Sequence, residues 1–130
     1  EVEILEEISP TERLVQSFFA APWPIKDRDM VTISAITATD NAVQVKITDR
    51  GDTTPHHSRY VRMQNMHGLW EANAIENGTS EITYTGGGNP GGNLPTFIAN
   101  RELITSMFNT FQNLQKVILL DKYQPIKITD

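Results

Sequence analysis

The hydrophobic period of this chain changes once, near residue 94, and that change limits what it can fold into. Before it, apolar residues recur at alternate positions in short runs separated by turn residues, the pattern of strands with one dry face. After it, Leu94, Phe97, Ile98, Leu103, Ile104, Met107, Phe108, Phe111, Leu114, Val117 and Ile118 recur mostly at three- and four-residue steps. Polar Glu102, Ser106, Asn109, Gln112 and Lys116 lie between them. This is a wide apolar stripe on one long helix. Asn93 suits its N-cap and Pro95 its first turn. The spacing predicts a helix over 94–120, whose 27 residues would span about 40 Å. Strands first and one helix last make an α+β chain.

The strand-like part reads in segments. Residues 2–8 and 12–21 flank Ser9-Pro10-Thr11, a turn that would make them a hairpin. Pro22-Trp23-Pro24 then interrupts pairing, because proline has no backbone donor. A β-branched run over 30–39 ends at the Asp40-Asn41 turn, and Val43, Val45 and Ile47 alternate with polar residues after it. Residues 50–55 read as a loop. Strands are expected over 59–65 and 69–75, then across Asn77-Gly78, whose residues tolerate positive φ, into a last strand holding Ile82 and Tyr84. The expected product is one antiparallel sheet of about six or seven strands.

Composition removes several functions. The 130 residues are about one domain, and no apolar run approaches the roughly 20 residues that cross a bilayer. Sixteen acidic residues against 11 Lys and Arg argue against a nucleic-acid partner, which needs clustered cations. With no cysteine, disulfide scaffolds, thiolate nucleophiles and thiolate metal sites are absent. Gly86-Gly87-Gly88-Asn89-Pro90-Gly91 satisfies GxGxxG but has a proline inside it and no βαβ context, so it reads as a flexible connector. His56, His57 and His67 have no carboxylates at ligand spacing, so no metal is expected. The sequon at Asn77 reads as a turn. Lys26-Asp27-Arg28-Asp29 reads as a strand start in which Arg28 and Asp29 bond backbone or opposite charge. No Ser–His–Asp set or facing carboxylate pair offers catalysis.

Three stretches together resemble a known family. Pro22-Trp23-Pro24-Ile25-Lys26-Asp27-Arg28-Asp29-Met30-Val31 resembles a motif of START-type lipid-transfer domains, particularly the bacterial START-like proteins. Val61-Arg62-Met63 with Gly68-Leu69-Trp70 is similar to their next strand pair, and Asn89-Pro90-Gly91-Gly92-Asn93-Leu94-Pro95 with Asn100 to their lead into the last helix. Glu1 to Ser9 is similar to an earlier strand, so the resemblance runs nearly end to end and in order. It implies a helix-grip fold, a curved antiparallel sheet around a long C-terminal helix with an apolar tunnel between them. It also implies transport of a lipid, sterol or similar hydrophobic molecule without chemistry and without a cofactor. A related branch contains polyketide cyclases and aromatases, so an enzyme using Tyr84 or Arg28 as acid stays open, as does a non-ligand interaction module.

On that resemblance, residues 1–130 are a single START-like domain that lacks the family's N-terminal elements. An uncovered strand edge and helix surface would then favour a homodimer or lower stability. No nucleic acid and no transmembrane segment are expected, while transient membrane contact stays open. Strand alternation proposes which side chains face the tunnel: Val15, Ser17 and Phe19; Ser34 and Ile36; Val45 and Ile47; Val61 and Met63; Trp70; Ile82 and Tyr84. Ile104, Met107, Phe108 and Phe111 would face them from the helix. Sterol-binding relatives carry a buried acid and arginine where the alignment puts Ser17 and Ser34. Two hydroxyls in place of an ion pair point to a more apolar or bulkier ligand.

Overall fold

In a computed structural model of the chain, residues 1–92 and 96–120 are described, with side chains except at 96–99 and 102–104. The chain divides into two compact units, one up to Asn93 and one from Leu94. The α+β class expected from the sequence holds.

Among the described residues of the first unit, seven strands form one sheet. They are β1 (Val2–Ser9), β2 (Glu12–Phe19), β3 (Asp27–Ala38), β4 (Ala42–Asp49), β5 (Tyr60–Arg62), β6 (Gln64–Ala74) and β7 (Ser80–Asn89). The order is β1-β2-β3-β4-β6-β7, every pair on that path being antiparallel. Turn chemistry explains the short connections. Asn77 and Gly78 take positive φ of 65° and 71°, as the hairpin reading required.

Four expectations need correction. The sheet is not wholly antiparallel, because β5 pairs parallel with β3 over Asp27–Asp29 and Tyr60–Arg62. Pairing between β3 and β4 stops at Thr32 opposite Asp49, which leaves that edge of the start of β3 for β5. The segments read as 59–65 and 69–75 divide elsewhere, into a three-residue β5 and one continuous β6. Gly86–Gly88 is no loose connector but the end of β7. Alternation also fails in β1, where register shifts follow Ile4 and Glu7.

The second unit contains α1 (Thr96–Val117), about 33 Å long at the helical rise. It stops short of the predicted Leu120 because its last turn tightens, with Leu119 N bonding Lys116 O and Leu120 N bonding Val117 O. The readings at Asn93 and Pro95, and the side-chain readings at Phe97, Ile98 and Leu103, lie outside the described residues.

Among the described residues, the sheet unit has one fully buried large apolar side chain, Val31 at 0% exposure, and Asp29 beside it at 1%. Asp29 Oδ1 accepts Arg62 Nε at 2.8 Å, and its Oδ2 accepts Arg62 Nη2 and Gln16 Nε2, both at 2.9 Å. The remaining Arg62 donors reach Gly51 O at 2.7 Å, Thr54 O at 3.0 Å and Pro55 O at 3.1 Å. All five guanidinium N–H groups are therefore used. Arg62 thus ties the loop between β4 and β5 onto β3. Burial pushes the Asp29 carboxyl up, but hydrogen bonds from Arg62 and Gln16, with the charges of Arg62 and His56, outweigh it and hold the carboxyl below its ordinary value.

Two outcomes follow from this pair. Arg62→Met leaves a buried carboxylate without its partner and should lower unfolding free energy by about 3 to 5 kcal/mol in urea titration. A carboxyl held low in the fold contributes stability that is present above its unfolded value and lost as pH falls through its folded value. The urea midpoint of the wild type should therefore decline in acid, below the ordinary aspartate range, and Arg62→Met should flatten that component.

Candidate functional site

Residues directly opposite one another in adjacent strands point to the same side of a sheet, so the register sorts the side chains into two faces. On β3, Asp29 and Val31 point to one side, here the back; Arg28, Met30, Thr32, Ser34 and Ile36 point to the other, the front. The back is largely polar. Gln16 lies opposite Val31, Lys46 opposite Ala35, and Glu71 between Gln44 and Thr83. Phe18 and Tyr60 meet there, ring centroids 5.2 Å apart.

The front collects the sheet residues proposed from alternation. Ser17 lies opposite Met30 in the β2–β3 register, which sets Val15 and Phe19 beside it. Ser34 is opposite Ile47 and Ile36 opposite Val45. Val45 is in turn opposite Trp70, and Trp70 opposite Tyr84, with Ile82 facing Ala72. Val61 joins them, opposite Arg28 in the parallel pair. Met63 follows β5, and its amide donates to Asp29 O at 2.8 Å. In the second unit Met107 and Phe111, one helical turn apart, are half-buried, and Phe108 is 62% exposed. The Ile104 side chain lies outside the described residues.

The residues proposed to face the tunnel left out Met30, Thr32 and Val43, which share this face, although alternation had already set Val43 with Val45 and Ile47. Met30 and Thr32 have the same parity as Ser34 in an unbroken strand, so the signal was present. Arg62 was also overlooked as the partner of Asp29, because a charge pair 33 residues apart in sequence leaves no local trace.

An aromatic pair occupies the front of β6 and β7. The Trp70 and Tyr84 rings lie 4.8 Å apart at 45°. Beside them Gly68 is paired with Gly86. A Cβ at Gly68 would stand 3.0 Å from Tyr84 Cε2, and one at Gly86 would overlap the Tyr84 hydroxyl and lie 2.6 Å from His67 O. The Tyr84 ring therefore lies over a glycine pair, Gly68 and Gly86, where a side chain would meet it.

Polar groups on the front are few. Ser17 and Thr32 are buried, Ser34 is half-buried, and the Tyr84 hydroxyl sits over the glycines. Arg28, also buried, donates to Pro90 O at 3.3 Å, to Gly91 O at 3.1 Å and to Lys26 O. Asp49 has both oxygens engaged, by Gly51 N at 2.6 Å and Met66 N at 2.7 Å. The structural roles expected for Arg28 and Asp29 are those observed. Large apolar side chains on the front remain exposed: Val2, Ile4, Phe19, Ile36 and Val43. Among the described residues no group of three or more His, Cys, Asp or Glu could hold a metal ion, and no helix is long and apolar enough to cross a membrane.

Comparison with known proteins gives the arrangement a setting. No family model matches the chain. An uncharacterised protein of Pseudomonas aeruginosa is 26% identical over 95 residues, which are 72% of this chain and 47% of that protein. The chain thus spans about half the length of that relative. Among solved structures, a STAR-related lipid transfer protein of Xanthomonas axonopodis superposes with a TM-score of 0.77 and 24% identity, covering 92% of this chain and 67% of that one. Human StAR-related lipid transfer protein 5 gives 0.75 and 21%, covering 89% and 58%. Human STARD10 gives 0.72 and 18%, covering 89% and 46%. The chain has the fold of the STAR-related lipid transfer proteins.

Proposed function

We propose that the front face of the sheet binds a lipid or similar hydrophobic molecule and carries it without chemistry. The observation that supports this most is the division of labour between the two faces. The ion pair and the buried Val31 lie on the back, while the front gathers aliphatic side chains and the Trp70–Tyr84 pair. Transfer of apolar surface out of water is worth about 0.8 kcal/mol per methylene, so a dry face binds an acyl chain without specific polar contacts. Ser17, Thr32, Ser34 and the Tyr84 hydroxyl are the polar groups available to orient one end of it. The lipid transfer proteins that share the fold give the same direction by analogy.

A cyclase-type reading asks for a proton donor on this face. Arg28 is a poor one, since a guanidinium keeps its proton in proteins and this one is held by three carbonyls. Tyr84 alone remains, and among the described residues no base is hydrogen-bonded to its hydroxyl, so carriage is the better-supported reading.

Two measurements test it. An apolar extract of the purified chain should contain a lipid by mass spectrometry, and an empty protein would favour an interaction module. Ser34→Trp should place an indole against Ile47 and lower affinity for a fluorescent fatty acid by roughly tenfold, the equivalent of about two lost methylenes. Unchanged affinity in a folded variant would place the ligand elsewhere.

A further inference from the structure

Among the described residues five polar side chains are buried: Ser17, Arg28, Asp29, Thr32 and Arg62. Three of them are answered. Asp29 has Arg62 and Gln16, Arg62 has Asp29 and three carbonyls, and Arg28 has three carbonyls. The other two are not. Ser17 is 7% exposed and Thr32 3%, yet among the described residues neither hydroxyl has a hydrogen-bond partner. Neither oxygen is sealed from solvent, so both open onto the front. A buried hydroxyl left unpaired is a cost to the fold, and one that a bound molecule can remove.

The register brings the two together. Ser17 stands opposite Met30 and Thr32 opposite Val15, so they are diagonal neighbours on β2 and β3, about 7 to 8 Å apart. Half-buried Val15 and Met30 complete the square. Among apolar neighbours a hydrogen bond gains strength, while an ion pays more for leaving water.

The charges beside this square are already committed. Asp49 lies directly opposite Thr32, both of its oxygens held by the amides of Gly51 and Met66. Arg28 is diagonal to Ser17, and its Nε, Nη1 and Nη2 donate to Pro90 O, Lys26 O and Gly91 O. One carboxylate and one guanidinium therefore flank the hydroxyls. An anionic group placed there is repelled by Asp49, and a cationic one by Arg28.

We propose that Ser17 and Thr32 form the subsite for the polar end of the carried molecule, and that this end is an uncharged oxygen group, an alcohol or an ester, rather than a phosphate or an ammonium. A hydroxyl both donates and accepts, so the pair satisfies such a group without a counter-ion. The inference rests on carriage by the front face, and adds to it the position and the charge of the head group.

The test is displacement of the neutral dye Nile red from the full chain by dodecanol, dodecyl phosphate, dodecyltrimethylammonium and dodecane, which share one chain length. Dodecanol should act at concentrations at least roughly tenfold below the two charged compounds, which must give up the hydration of an ion. Ser17→Ala and Thr32→Val should each lower affinity for dodecanol, taken relative to dodecane, by roughly fivefold, the factor for one hydrogen bond. Both variants should melt no lower than the wild type, because each removes a hydroxyl that the free protein leaves unpaired. Equal displacement by dodecanol and dodecyl phosphate would overturn the subsite while leaving carriage in place. So would an unchanged ratio of dodecanol to dodecane in both variants, whether or not they melt lower. A wild type that binds no dye, or from which none of the four compounds displaces it, would overturn carriage by this face and the subsite together.

Discussion

Asp29 and Arg62 have side-chain exposures of 1% and 3% in a sheet with only one fully buried large apolar residue among those described. Two ions deprived of water cost several kcal/mol each, and the fold tolerates them only if every donor and lone pair is answered. Here the answer is nearly complete: two charge-assisted bonds between the ions, Gln16 on the carboxylate, and three carbonyls on the guanidinium. Those carbonyls belong to Gly51, Thr54 and Pro55, so the pair fixes the loop as well as the strands. Parallel contact between β3 and β5, too short at three residues to stand alone, depends on the same bonds.

Once a polar network secures the back, the front is released from serving as the sheet's sole core. Arg28 and Asp29 show how the division is made at adjacent residues. The alternation of a strand sends Asp29 to the back, where its partner is a charge, and Arg28 to the front, where its partners are carbonyls of residues 26, 90 and 91. One position's shift in register would exchange them, placing a carboxylate among aliphatic residues. The start of β3 thus sets the polarity of both faces.

What was legible in the sequence followed from local rules. Val43, Val45 and Ile47 against Gln44 and Lys46 declare a strand and its dry side, and Asn77-Gly78 declares its turn by conformational preference. The front-face residues of β2, β3 and β4 follow by parity wherever no bulge intervenes. The unread features were those without local cause. Parallel pairing of β5 depends on where β4 stops, and the Asp29–Arg62 bond on a contact across 33 residues. Gly86–Gly88 misled for another reason: glycine signals freedom in a sequence, whereas at Gly86 and Gly88 it marks neighbours too close for a Cβ, the Tyr84 ring and the Met66 side chain.

The composition of the front face also bears on selectivity. On the proposed reading, discrimination between chain lengths comes from contact area alone, and a methylene more or less is worth about 0.8 kcal/mol, roughly fourfold in affinity. That is a shallow gradient. A polar group is judged more severely, because burying one without a partner costs about 1 to 3 kcal/mol. Ser17, Thr32 and Ser34 lie on neighbouring strands, since Thr32 pairs with Val15 and Ser17 with Met30. Hydroxyls therefore cluster on β2 and β3, while the Tyr84 hydroxyl stands across the sheet on β7. A ligand with one polar end has two distinct places to put it, and an aliphatic field between them in Ile36, Val45 and Ile47. On the proposed reading, such a face would select for amphipathic shape before it selects for chemical identity.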